Sequence, residues 1–212
     1  MRLDRFLVTK GFFSTRQKAK EAIKRGLVCV NGKIATKPSL DVKPDADITV
    51  KGEEKPRGYW KLAKIDSEWQ LIRDGDVVLD LGSSAGGFLL YASERALRVY
   101  GIEYSKEFED DLREIEKDRS NVKVFIDDAF TFDISKLEPL DVILDDLTLD
   151  AESSFKALLR FLPLLKDGGR VLFVLKTGVE DKEPDFSKAG LKIVRQMDSD
   201  ERKERYYLLM KS

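Results

Sequence analysis

The chain has 212 residues, 42% of them hydrophobic, which is enough for one ordinary domain and a small second one. It has no histidine and a single cysteine, Cys29. This excludes an internal disulfide, Ser-His and Cys-His dyads and histidine metal ligation, and leaves catalysis to Lys, Asp, Glu, Tyr or backbone groups. The formal net charge of -1 conceals an asymmetry: residues 1–52 hold 12 Lys+Arg against 5 Asp+Glu and the remainder 26 against 34, so a polyanion would dock at the N-terminal end.

No run of about 18 apolar residues occurs, and Met1–Lys10 alternates charged and apolar residues too quickly for a signal-peptide core. A soluble, cytoplasmic protein with no membrane partner is expected. Arg2–Lys10 has helical spacing, with Leu3, Phe6 and Leu7 on one stripe and Gly11 as the stop. Ser14 or Thr15 is placed to cap a second helix running to about Arg25, ended by Gly26. On it Ala19, Ala22 and Ile23 share a face, while Arg16, Lys20 and Lys24 form a basic row beside them. The run Leu27–Val30, where Cys29 should be a buried small hydrophobe, leads into Asn31-Gly32 and Lys33-Ile34. That is a hairpin signal, because both turn positions need positive φ. Asp45–Val50 reads as one more short strand.

The pattern Arg2-Leu3-Asp4, Ser14-Thr15-Arg16, Ala19, Ile23, Gly26, Val28, Val30-Asn31-Gly32 and Lys33 resembles the S4 RNA-binding domain over roughly residues 1–50. The resemblance implies that the second helix and the hairpin lie against structured RNA. The expected RNA-binding residues are Arg2, Arg5, Arg16, Lys20, Lys24 and Lys33. Lys51–Gly58 contains Gly and Pro without periodicity and reads as a linker, giving domains at 1–52 and 53–212.

After the linker, strand and helix signals alternate. Val77–Leu81, Val99–Glu103, Val122–Ile126, Val142–Leu144 and Val171–Leu175 are short apolar runs, separated by amphipathic stretches such as Phe108–Lys117 and Ser154–Leu165. This order predicts an α/β fold with a mostly parallel, Rossmann-like sheet. Lys192–Val194 and Tyr206–Met210, close together at the end, suggest a terminal antiparallel pair of the kind class I methyltransferases carry.

The first strand ends Asp80-Leu81-Gly82 and passes through Ser83-Ser84-Ala85 into Gly86-Gly87-Phe88, a turn that lets backbone approach a ligand. Glu103, about 20 residues later, is placed to accept both ribose hydroxyls of an adenosine moiety. The glycines do not follow Gly-x-Gly-x-x-Gly, which disfavours a nicotinamide cofactor and favours S-adenosylmethionine, a cofactor without a pyrophosphate. Candidate cofactor contacts are Asp80, Gly82, Ser84, Gly86, Gly87, Phe88, Glu103 and Asp128. Asp128 is assigned to the adenine amino group, and Asp127 to capping a following helix.

Four polar residues stand where this topology brings them to the sheet's carboxyl edge. They are Lys61 before the first strand, Asp146 after the fourth, Lys176 ending the fifth and Glu204 beginning the last. The set and its order resemble the FtsJ family of RNA 2′-O-methyltransferases over roughly residues 57–212. The S4-like head and the Gly86-Gly87-Phe88 loop also resemble the TlyA group of rRNA methyltransferases, often labelled hemolysins. The chain departs from that group at Asp146-Leu147-Thr148. The resemblance implies methyl transfer to a ribose 2′-hydroxyl of RNA, ribosomal RNA foremost, with no metal. Lys176 would serve as base if it can be neutral: burial and Lys61 would lower its pKa, while Asp146 and Glu204 would orient the lysines and partly oppose that shift. The alternative is an rRNA-binding or ribosome-assembly protein with an inactive methyltransferase fold.

Overall fold

The structure, a computed structural model, describes residues 1–13, 15–50, 55–177, 183–200 and 202–211. Ser14, the alternative helix cap, lies outside the described residues, as do 51–54 of the expected linker and Gly178 beyond Lys176. The chain forms two compact units, Met1–Glu54 and Lys55–Ser212.

In the first unit, α1 (Leu3–Thr9) and α2 (Arg16–Lys24) pack on a small sheet of β1 (Val28–Val30), β2 (Lys33–Ile34) and β3 (Ile48–Val50), ordered β2-β1-β3. Thr15 caps α2 by accepting from the Lys18 amide at 3.2 Å. Asn31 and Gly32 both have positive φ, 49° and 76°, as the hairpin turn requires. The strand expected over Asp45–Val50 is shorter than the sequence suggested. Asp47 exchanges hydrogen bonds with Asn31, its amide donating to the Asn31 side chain at 2.9 Å, the chain turns at 43–46, and only the last three residues pair with β1. Leu3, Leu7, Ala19, Ala22, Ile23 and Val28, all fully buried, make the core, and Cys29 is buried beside them.

The second unit begins with a helix the linker reading missed, α3 (Arg57–Trp69), preceded by Pro56. Its signal is the spacing of Tyr59, Leu62, Ile65 and Trp69, all buried. Then follow β4 (Val77–Leu81), α4 (Gly87–Ser93), β5 (Arg98–Glu103), α5 (Glu109–Asp118), β6 (Val122–Ile126), β7 (Leu140–Asp145), α6 (Ala151–Phe161), β8 (Leu165–Lys176), β9 (Leu191–Asp198) and β10 (Glu204–Lys211). The seven strands lie in the order β6-β5-β4-β7-β8-β10-β9, with β10 antiparallel to both neighbours. The strand order reverses beside β4, so the crevice at its carboxyl end is the natural ligand position of an open α/β sheet. Both faces are covered. Along β10, Tyr206 and Leu208 pack on the α3–α5 side, and Tyr207 and Leu209 on the α6 side. No helix follows Asp127 directly: its carboxylate accepts from the Asp128 amide at 2.8 Å, and the next helical turn is the short 3-10 segment Ile134–Lys136. Among the described residues, no helix is long and apolar enough to cross a membrane.

Candidate active site

The register aligns the carboxyl ends of the central strands: Leu81 pairs with Ile102 and with Asp145, and Glu103 with Ile126. Lys176 ends β8 directly opposite Glu204, the first residue of β10. An antiparallel last strand therefore starts where the parallel strands stop, which brings Glu204 to the sheet's carboxyl edge.

The four polar residues singled out in the sequence meet there. Lys61 Nζ, from α3, lies 2.9 and 2.8 Å from the Asp146 carboxylate oxygens and 2.8 Å from Glu204 Oε2. Lys176 Nζ lies 2.5 Å from Asp146 Oδ1 and 2.9 Å from Glu204 Oε1. Two cations and two anions alternate around a closed square, so each charge taken from water finds two partners. Glu204 is 5% exposed and Lys176, the most open member, 28%. Tyr206, which the sequence reading passed over, donates its hydroxyl to Glu204 Oε2 at 3.1 Å. Its own pKa rises to about 12 through burial, with the Glu204 charge adding to it.

One expectation is overturned here. Burial pushes the Lys176 ammonium toward the neutral form, but Asp146 and Glu204 in direct contact outweigh burial, and the net pKa lies above the ordinary lysine value. Lys176 is a cation in the free protein, not a neutral base. Glu204 is likewise held charged: burial would raise its pKa, but the two lysines bring it down to about 2.

Beside the square lies the glycine turn. Gly82 and Gly86 have φ of 79° and 75°, and a Cβ on Gly82 would sit 3.0 Å from Leu147 Cδ2. Glu103 holds this loop: Oε2 accepts from the Ser84 amide and Oε1 from the Ser105 amide, each at 2.7 Å. Asp128 sits on the next strand end and accepts from the Phe130 amide at 2.8 Å. Gly87 and Phe88 are placed differently from expectation. A Cβ on Gly87 would lie 2.5 Å from the Tyr59 amide nitrogen, and Phe88 is 4% exposed in the core. They let α4 pack on the start of α3, so the Phe88 side chain is not on the open side of the loop.

Two buried carboxylates lie under the loop. Asp80 is 1% exposed and neither carboxylate oxygen has a partner at hydrogen-bond distance; burial, reinforced by Asp146, Glu103 and Asp145 and only partly opposed by the neighbouring Ser83 hydroxyl, raises its pKa to about 8. Asp145 Oδ1 accepts from the Ser154 hydroxyl at 2.8 Å while Oδ2 is unpartnered, and burial raises its pKa to about 7.

In the first unit, Asp4 is fully buried and ties together two of the expected RNA contacts. Arg2 Nε and Nη2 lie 3.1 and 3.2 Å from its two oxygens and Arg16 Nη2 2.8 Å from Oδ2. These contacts hold the Asp4 carboxyl far below the usual range, the Arg2 hydrogen bond being the largest cause. Arg2 and Arg16 remain about half exposed, at 50% and 52%. Arg5, Lys24 and Lys33 are exposed and Lys20 half-buried.

A mostly parallel sheet with an antiparallel strand at the end and a charged cluster at its carboxyl edge defines a Rossmann-like methyltransferase. The FtsJ-like methyltransferase model matches residues 55–181 and the S4 domain model residues 1–48. The chain belongs to the FtsJ-like methyltransferase family and carries an S4 domain at its N-terminal end. A Bacillus subtilis (strain 168) protein named "Putative rRNA methyltransferase YqxC" is 29% identical over 203 residues, covering 90% of this chain and 68% of its own length. A solved structure titled "Putative hemolysin from Streptococcus thermophilus" superposes with a TM-score of 0.63 at 20% identity, over 100% of this chain and 88% of that one. Aeropyrum pernix fibrillarin, solved with natively bound S-adenosyl-L-methionine, gives 0.60 at 22% identity over 72% and 75%.

Proposed function

We propose that the protein transfers a methyl group from S-adenosylmethionine to a ribose 2′-hydroxyl of structured RNA, with ribosomal RNA the substrate class that the relatives' names point to. The observation that carries this reading is the square of Lys61, Asp146, Lys176 and Glu204 at the carboxyl edge beside the glycine turn. The chain fits the cofactor. Asp80 is a buried carboxyl whose oxygens lack a hydrogen-bond partner, which a cationic ligand would satisfy, and Gly82 and Gly86 give the turn the positive φ that lets it bend sharply at the sheet's carboxyl edge. Asp80, Gly82, Ser84, Gly86, Glu103 and Asp128 would hold it. When bound it supplies an electrophilic methyl on a sulfonium.

The protein's remaining task is to align a weak nucleophile and remove its proton. Lys176, the most exposed of the four, donates to the 2′-oxygen. In methyl transfer, where the sulfur–carbon bond breaks as the oxygen–carbon bond forms, Lys176 would pass a proton to Asp146 at 2.5 Å and receive the hydroxyl proton, so that the proton would end on Asp146 and Lys176 would remain a cation. Lys61 and Glu204 fix the geometry of that exchange. The test is transfer of labelled methyl to RNA followed by nuclease digestion. Label is expected on ribose, and label on a base would reject the reading.

The first unit supplies RNA affinity in this reading, because it carries the positive charge. Arg2 and Arg16 also neutralise Asp4, so their removal would disturb the fold as well as the charge. The cleaner variant replaces Lys20, Lys24 and Lys33 by glutamine. It should weaken RNA binding and flatten the log–log salt dependence by about 0.7 to 0.9 for each lost phosphate contact. A slope equal to that of the parent protein would remove this surface from the RNA interface.

A further inference from the structure

Helix α3 has two faces. The inner face, with Tyr59, Leu62, Ile65 and Trp69, is buried, whereas Arg57, Trp60, Lys61 and Lys64 fall at i, i+3, i+4 and i+7 on the other side. Lys61 turns its amine into the catalytic square, with Asp146 and Glu204. Trp60, its immediate neighbour in the chain, is left 51% exposed and meets Tyr59 edge to face at 5.0 Å. The stripe continues onto a second element: Lys64 Nζ lies 2.7 Å from Asp200 Oδ2, which joins α3 to the β9–β10 connection. That connection also carries Arg202, 50% exposed and 3.7 Å from Glu204, and the exposed Lys203. On α3 a half-exposed indole therefore lies one residue from Lys61 of the square and on the same stripe as the exposed Arg57, in a unit whose overall charge is negative.

We infer that this face is a docking surface for the unpaired nucleotides flanking the reactive ribose, with Trp60 stacking on a nucleobase and Arg57 and Arg202 meeting phosphates. The inference rests on RNA being the substrate. Charge complementarity selects the occupant, because a half-exposed indole on a stripe with cations provides what a single strand offers in return, a π-face between anions. Bases inside a helix are stacked on one another, and a duplex offers this surface only backbone. The target ribose would accordingly lie in a loop, bulge or strand end.

The chain's two tryptophans make the surface readable. Trp69 is 9% exposed, so nucleobase quenching of tryptophan emission reports Trp60. Full-length protein is titrated with a mixed-sequence single-stranded oligoribonucleotide and with the corresponding duplex, following emission together with anisotropy of end-labelled RNA. The single strand is expected to quench the parent protein and the duplex is not. Trp60→Phe should lose the quench yet bind the single strand almost as the parent does, because the phenyl ring still stacks. Trp60→Ala should weaken single-strand binding by about 5- to 150-fold, the cost of one lost base–aromatic stack. Equal quenching by the duplex, absence of quenching by the single strand, or parent-like binding by Trp60→Ala would each overturn the inference. An emission change that follows protein concentration instead of RNA would assign the face to a second copy of the chain. Ribose methylation is measured separately. A base-labelled product refutes the proposed function, whereas ribose labelling with no Trp60 response refutes only the docking surface.

Discussion

Lys176→Met is expected to lower single-turnover methyl transfer by at least about 100-fold while leaving cofactor affinity nearly unchanged. Methionine keeps an unbranched side chain of similar reach and removes the amine. At 28% exposure Lys176 is the least buried of the four, so the fold should tolerate the change. The loss should appear in the turnover rate, since in the proposed reaction the amine acts on the ribose hydroxyl and not on the cofactor loop. Near-normal transfer by this variant would remove Lys176 from the mechanism. The pH profile separates the two ways a lysine can act here. Asp146 and Glu204 keep Lys176 charged. With the proton ending on Asp146, the rate should be flat from about pH 7 to 9. A requirement for the neutral amine would instead give a rise of about tenfold per pH unit over the same range.

Cofactor binding is expected to release protons near neutral pH, because Asp80, with a pKa near 8, is mostly protonated until a cationic ligand arrives. The native state binds more protons than the unfolded chain between the ordinary aspartate range and about 8, so Asp80 makes the ligand-free protein less stable as pH rises through that window. Asp145, with a pKa near 7, acts in the same direction. A ligand that pairs with ionised Asp80 gains what the free protein loses, and its affinity should tighten with pH by up to about tenfold per unit below 8. Calorimetry in two buffers of different ionisation enthalpy measures the protons released. Asp80→Asn should abolish most of the release, flatten the pH dependence of the ligand-free melting temperature and weaken binding. Proton release identical in Asp80→Asn and the parent would mean that Asp80 stays neutral beneath the ligand.

Most of the architecture could be read from the chain because its signals are local. Val77–Leu81 and Val122–Ile126 are apolar, β-branched runs, and the strands occupy those same residues. Asn31-Gly32 dictates its own turn. Helix α3 was hidden because Pro56 and Gly58 look like linker chemistry, although a proline suits a helix start and Gly58 gives Gly87 the room to pack. Asp146, Lys176 and Glu204 were identifiable from their positions at strand ends and Lys61 from its place before the first strand, but the charge states of the square were not. Whether Lys176 is neutral depends on whether burial or two carboxylates dominate, and only distances decide that. The same holds for Asp80, whose lack of partners is a property of the folded interior. Arg2 and Arg16 read as free cations in the sequence because nothing there shows that Asp4 is buried between them.

The placement of Glu204 at the start of β10 ties competence to the completeness of the fold. Lys61, Asp146 and Lys176 come from earlier elements, and without the final strand they would form two ammoniums facing one carboxylate, an unbalanced cluster with the wrong net charge. In the proposed reaction, a chain whose β10 is unpaired would lack the fourth member of the square even where the first unit and the glycine turn had formed.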